Sequence, residues 1–205
     1  MTLQKIGLKY NTDKATYHNF CDFYEKNLNK DIKILWEIGI LNGASLNMWA
    51  EYYKSAKIVG FDIEDKSTLK YLPNIEIKVL DQGNLEQLKI LANNYKDIDV
   101  IIDDGSHFVN HQIMTFECLF NSLKSNGQYI IEDLHTSTNM QVGYNFSNNK
   151  GALQYLQDIS QNLEPKNYPG QFNTPNTLKL IKSIEIFTTI HEDGNKSITA
   201  IITKK

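Results

Sequence analysis

Two short segments hold most of the residues able to do chemistry: Asp103-Asp104-Gly105-Ser106-His107 and Glu132-Asp133. Each follows an apolar run, Ile98 to Ile102 and Gln128 to Ile131, that reads as a short strand. If those strands are neighbours, Asp104, Glu132 and Asp133 converge, and three unpaired carboxylates repel one another strongly. A hard divalent cation removes that repulsion, and an all-oxygen set suits Mg2+, Mn2+ or Ca2+ rather than Zn2+. Asp104, Glu132 and Asp133 are therefore the expected metal ligands. His107 lies three residues after Asp104 on the same loop. Near neutral pH its imidazole can accept a proton from a hydroxyl that a bound cation has acidified. His107 and Asp104 are the expected catalytic residues. An isolated histidine more often packs or caps; its place inside a carboxylate cluster reverses that reading. His111 and His135 are weaker candidates, His18 could line a cofactor entrance, and His191 is expected at the surface.

A third segment, Glu37-x-Gly39-x-x-x-Gly43, ends the apolar run Ile32 to Ile38 and leads into a helical pattern on Leu46 and Trp49. A glycine turn between a buried strand and a helix lets a ligand approach the backbone and offers it the free N–H groups of a helix N-terminus. The spacing is not the G-x-G-x-x-G of dinucleotide sites, and Glu37 would repel a pyrophosphate. Asp62 follows Gly39 by 62 − 39 = 23 residues, where a carboxylate can accept both hydroxyls of a ribose. NAD and S-adenosylmethionine both fit Asp62; Glu37 favours a ligand with a ribose, a positive centre and no phosphate.

The elements that must position these residues follow from hydrophobic period. Strands are expected at Ile32–Ile38, Lys57–Asp62, Asn74–Leu80, Ile98–Ile102 and Gln128–Ile131, with helices at Thr16–Asn29, Ser45–Lys54, Asn84–Asn94 and Asn110–Leu123. Each of the five strands carries a carboxylate at or just past its C-terminal end, the edge where open parallel sheets bind ligands. This predicts an α/β fold, a Rossmann-like doubly wound and mostly parallel sheet of order 3-2-1-4-5-7-6. Asp193-Gly194 between two β-branched runs predicts a C-terminal antiparallel hairpin. One domain is expected, with residues 1–30 as an N-terminal helical cap. Residues 134–177, loop-like around a helix over 151–163, form an acceptor-side lid or insert carrying Tyr144, Phe146, Tyr168 and Phe172.

Composition narrows the partners. At 41% hydrophobic and 22% charged residues, the 205-residue chain is globular in composition. A net charge of −3 gives no reason to expect nucleic acid or an anionic membrane. Cys21 and Cys118 form no C-x-x-C pair, which argues against a disulfide framework and for a reducing cytoplasm. No signal peptide or membrane span is expected. The expected partner is a small polar acceptor; homo-oligomerisation is left open.

With these residues in hand, the sequence resembles the class I S-adenosylmethionine-dependent methyltransferases, and more narrowly the metal-dependent sugar O-methyltransferases of the macrocin and mycinamicin type. The resemblance rests on Glu37 to Ser45, Ile101 to His107, Tyr129 to Leu134, and Asn11-Thr12-Asp13-Lys14 with His18. It implies S-adenosylmethionine and Mg2+ or another hard divalent cation as cofactors. It implies that Glu37, Gly39, Asp62, Asp81 and Gln82 contact the donor, assisted by Ser45 and the Asp13 region; Gly43 and Asp103 are counted with them. It assigns Asp104, Glu132 and Asp133 to the metal and His107 to the base. The implied activity is O-methylation of a sugar or related polar acceptor, phosphate- or nucleotide-linked acceptors of surface-polysaccharide assembly included. The rival expectations are an NAD-dependent sugar oxidoreductase or epimerase, and a partner subunit that binds cofactor without catalysis.

Overall fold

The computed structural model describes residues 1–137, 151–191 and 194–205. A seven-stranded sheet runs through it: β1 (Ile34–Ile38), β2 (Lys57–Asp62), β3 (Ile75–Val79), β4 (Ile98–Asp103), β5 (Leu123–Ile131), β6 (Ile181–Ile190) and β7 (Lys196–Lys204). Its order is β3-β2-β1-β4-β5-β7-β6, the order expected from the sequence. β1 to β5 pair in parallel, and β7 runs antiparallel to both β5 and β6.

Alternation along the strands decides which layer each side chain joins. Leu35, Ile58, Val100, Ile102 and Ile130 face one core with Leu3, Tyr24, Leu46 and Trp49. Trp36, Val59, Ile101, Tyr129 and Ile131 face the other with Leu88, Phe116, Tyr155 and Leu156. The first core is roofed by α1 (Leu3–Tyr10), α2 (Asp13–Thr16), α3 (Cys21–Asn27) and α4 (Ala44–Tyr52). The second is covered by α5 (Leu85–Asn94), α6 (Val109–Leu119) and α7 (Ala152–Ser160), while the short α8 (Thr174–Leu180) leads into β6. All six residues of β4 are buried, as a central strand covered on both faces requires.

Several boundaries moved. Within the expected N-terminal cap, residues 3–10 form a helix of their own, ahead of the one expected over Thr16–Asn29. Its buried Leu3, Ile6 and Gly7 are too few for a strong period, and tertiary packing against α4 supplies the rest. The helix expected over Thr16–Asn29 begins at Cys21, because Asp13–Thr16 makes its own short turn of helix. Residues 178–180 finish α8, and the last hairpin starts at Ile181. The hairpin itself is present, although Glu192 and Asp193 at its turn lie outside the described residues, as do Tyr144 and Phe146. Tyr168 is buried in the second core, its hydroxyl donating to Asp158 at 2.6 Å, rather than facing an acceptor. Both cysteines are free and buried.

One buried carboxylate fastens the segment after α7. Glu117 of α6 accepts from the Tyr155 hydroxyl and the Phe172 N–H, each at 2.7 Å, and from the Asn173 N–H and the Thr174 hydroxyl. The N-terminus of α8 is thereby tied to α6.

The turn after β1 is set by backbone contact. Gly39 has φ 93°, and a Cβ there would lie 2.0 Å from the carbonyl oxygen of Asp104. Its N–H donates to Phe61 O at 2.8 Å. The glycine is thus required by the approach of the β1 and β4 ends, whatever ligand lies above. Gly39→Ala should destabilise the protein by about 2 kcal/mol or more, from the positive φ plus the clash. Urea unfolding measures it, and a loss below about 0.5 kcal/mol would contradict this account.

Candidate active site

The ladder brings the acidic strand ends level. Ile38 of β1 pairs with Asp103 of β4, and Asp103 pairs with Ile131 of β5. One step on, the Asp104 N–H donates to Ile38 O and the Glu132 N–H to Asp103 O, both at 2.9 Å. Asp104, Glu132 and Asp133 therefore emerge together at the C-terminal edge.

Beside them lies a cavity of about 620 Å³, a size that accommodates a cofactor. Its walls include Asp13, Gly39, Ser45, Asp62, Asp81 and Gln82. Asp62 accepts the Ile40 N–H on one oxygen and the Glu64 N–H on the other, each at 3.0 Å, which fixes it against the glycine turn. Ile63 beside it is two-thirds exposed at the cavity wall, an apolar surface available to a flat ring. Gln82 spans two elements: its Nε2 donates to Asp103 at 2.7 Å and its Oε1 accepts the Ser106 N–H at 2.9 Å.

Three residues expected at the donor lie behind the wall instead. Asp103 is buried and holds Gln82; burial pushes its carboxyl up to about 7, with the Gln82 and Gly105 N–H groups opposing. Gly43, at φ 78°, precedes α4, and a Cβ there would meet the Tyr71 ring at 2.8 Å. Glu37 is fully buried beneath the turn, accepting from the Ser45 hydroxyl at 2.9 Å and from Trp49 Nε1 at 3.4 Å.

At the far end of the cavity, Asp104, His107 and Asp133 each offer a ligand atom, all within 4.8 Å of one another. His107 Nε2 is 3.5 Å from Asp133 Oδ2. His107 (φ 59°) and Asp133 (φ 54°) both adopt left-handed backbone, an unfavourable conformation that functional sites tend to retain. Glu132, expected with this group, gives one of its two oxygens to a different partner. Its Oε2 accepts from Lys14 Nζ at 3.0 Å, and the same ammonium donates to Asp104 Oδ2 at 2.5 Å and lies 3.4 Å from Glu37. Burial alone would depress the Lys14 ammonium, but Asp104, Glu132 and Glu37 together hold its pKa well above the ordinary value. Two carboxylate oxygens at this end, Glu132 Oε1 and Asp133 Oδ1, are buried without a hydrogen-bond partner.

The other histidines sort by position. His111 Nδ1 pairs with the Ser106 hydroxyl at 2.8 Å on the cavity wall, and burial lowers its pKa. His18 does not line the cavity; it pairs with the Ser197 hydroxyl at 2.6 Å and lies 3.7 Å from Asp133. His191, expected at the surface, shares that hydroxyl at 2.8 Å and stacks on Tyr17, ring centroids 4.5 Å apart. His135 stands 3.7 Å from Asp133, its pKa lowered by burial. Four of the five histidines therefore gather around or next to Asp133, a convergence of residues from 18 to 191 that no local spacing announces. Lys14 was likewise hidden: in the sequence it belongs to a polar turn, with nothing to mark it as buried.

Comparison with known proteins agrees with this geometry. No protein-family model matches the chain. It is 30% identical over 186 residues to the 8-demethyl-8-alpha-L-rhamnosyl tetracenomycin-C 2'-O-methyltransferase of Streptomyces olivaceus, covering 84% of this chain and 48% of that protein. It is 35% identical over 147 residues to the demethylmacrocin O-methyltransferase of Streptomyces fradiae, covering 66% of this chain and 37% of that protein. The MycE methyltransferase of the mycinamycin pathway, solved in complex with Mg, SAH and mycinamycin VI, superposes over 100% of this chain and 53% of its own, with a TM-score of 0.79 and 26% identity. The chain has the fold of the class I S-adenosylmethionine-dependent methyltransferases. Within that family its relatives are sugar O-methyltransferases, and it spans about half the length of the first of these or less. Among the described residues, no helix is long and apolar enough to cross a membrane.

In this methyltransferase fold, Glu37 makes stability depend on pH. Burial, opposed by Lys14, pushes its carboxyl up to about 7. Below the ordinary carboxylate range the group is protonated whether folded or unfolded. As pH rises toward 7 the unfolded chain releases the proton while the folded one retains it, so this contribution to stability is lost. Glu37→Gln should flatten the fall in unfolding free energy between about pH 5 and 7.5 by on the order of 1–3 kcal/mol. Urea titrations across that range test it, and parallel profiles for the two proteins would refute it.

Proposed function

We propose that the chain transfers a methyl group from S-adenosylmethionine to a hydroxyl of a sugar or related polar acceptor, assisted by Mg2+ or another hard divalent cation. The observation that carries this reading is that a single cavity is lined by Asp62, the glycine turn, Asp104, His107 and Asp133 together. The relatives' named reactions, sugar O-methylations in natural-product pathways, support it.

The residues present fit both groups. Asp62 offers a carboxylate to ribose hydroxyls. Asp104 and Asp133, with the orphaned oxygens of Glu132 and Asp133, form the oxygen-rich set that a hard cation prefers. When bound, the cation would lower the pKa of an acceptor hydroxyl, and the donor's sulfonium would supply the methyl. His107 would take the hydroxyl proton, and Asp133, 3.5 Å from Nε2, would stabilise the imidazolium formed. The oxygen gains the methyl, S-adenosylhomocysteine leaves, and the proton passes through His107 to solvent. Tyr17 stacks on His191 and meets His18, which lies 3.7 Å from Asp133, and none of the three lines the cavity. Nothing about them selects a phosphate- or nucleotide-linked sugar over a neutral glycoside.

Methyl transfer to a panel of neutral, phosphorylated and nucleotide-linked sugars tests the reading directly. EDTA should abolish turnover and Mg2+ restore it, while His107→Ala should lower kcat about 10²- to 10⁴-fold. Calorimetry should register S-adenosylhomocysteine and not NADH. Full activity in EDTA, or binding of NADH alone, would sink the proposal.

A further inference from the structure

Lys14 is fully buried, and none of the steps above uses it. A buried ammonium costs several kcal/mol unless it is well paired. Its three N–H donors meet three carboxylates: Asp104 Oδ2 at 2.5 Å, Glu132 Oε2 at 3.0 Å and Glu37 Oε1 at 3.4 Å. These acceptors come from the ends of three adjacent strands, β4, β5 and β1. The lysine's backbone is pinned as well, since the Asp13 side chain accepts its N–H at 2.9 Å and its carbonyl accepts the Phe20 N–H at 2.9 Å. With Oε2 of Glu132 held by the ammonium, Oε1 is left buried with no hydrogen-bond partner.

We propose that Lys14 is a positioning residue for the metal site: it holds one oxygen of Asp104 and one of Glu132, orienting both carboxylates for a divalent cation. The inference rests on the metal reading proposed above and adds to it the group behind the ligands. Partners that hold a metal's ligands commonly change affinity 10- to 100-fold when removed. The ammonium also reaches Glu37 beneath the glycine turn, so one charge braces the donor end and the metal end of the cavity.

The test is calorimetric titration of MgCl2 into metal-stripped protein, with and without S-adenosylhomocysteine, for the wild type and Lys14→Met. The expected result is that the variant binds Mg2+ 10- to 100-fold more weakly. A folded Lys14→Met protein with wild-type Mg2+ affinity overturns the role of Lys14. A wild type that does not bind Mg2+ overturns the metal reading instead. Because Lys14→Met strands three buried carboxylates and could fail to fold, Lys14→Met/Glu37→Gln is compared with Glu37→Gln alone, which removes one of the stranded charges. A purely structural lysine would lower the melting temperature of the double variant and leave its Mg2+ affinity equal to that of Glu37→Gln. The proposed role requires the same 10- to 100-fold loss between the two.

Discussion

The edge of this sheet depends on the ion cluster of Lys14 with Glu37, Asp104 and Glu132. Three parallel strands end on acids within reach of one another, an arrangement that burial and mutual repulsion would oppose. A single ammonium, delivered by a four-residue helix of the N-terminal segment, makes it tolerable. The N-terminal residues consequently contribute to the site as well as roofing the first core. Asn11, Thr12, Asp13 and Thr16 line the cavity, and Lys14 reaches Asp104 from a fully buried position.

The cavity has two ends with different physics. The donor end is built from backbone, with glycines placed where strand ends nearly touch and Asp62 held by two N–H groups. Little there would have to move to accept the ribose of the proposed donor. The surroundings of Asp104, His107 and Asp133 are built from side chains, with His107 and Asp133 on left-handed backbone and Glu132 Oε1 and Asp133 Oδ1 buried without a hydrogen bond. A cation bound there, as proposed above, would relieve what the protein alone leaves unsatisfied. The contrast fits a fold in which the donor pocket is shared widely and the acceptor chemistry is grafted onto one end of it.

Much of the architecture was legible because it is written in local period and in position along strands. The buried runs, the helices with apolar residues three and four apart, and the acid closing each of the first five strands identified a doubly wound sheet and its ligand edge. Asp62, Asp81, Gln82, Asp104, His107 and Asp133 were found that way, and all of them line the cavity. The short first helix escaped notice because eight residues with three buried positions give a weak period. The burial of Tyr168 against Tyr155 of α7 is not legible in its polar segment, because it depends on packing between distant elements.

By itself, the sequence determined which residue types stand at the end of each strand, since period and turn chemistry act over a few residues. Only the tertiary structure decided how those acids are shared out. Lys14 meets Asp104 across 90 residues and Glu132 across 118, and no spacing encodes such contacts. The same folding step withdrew Glu37 and Asp103 from the ligand surface and brought His18 and His191 around one serine hydroxyl. Burial and pairing are properties of the assembled edge, where a charge is stable only beside its opposite.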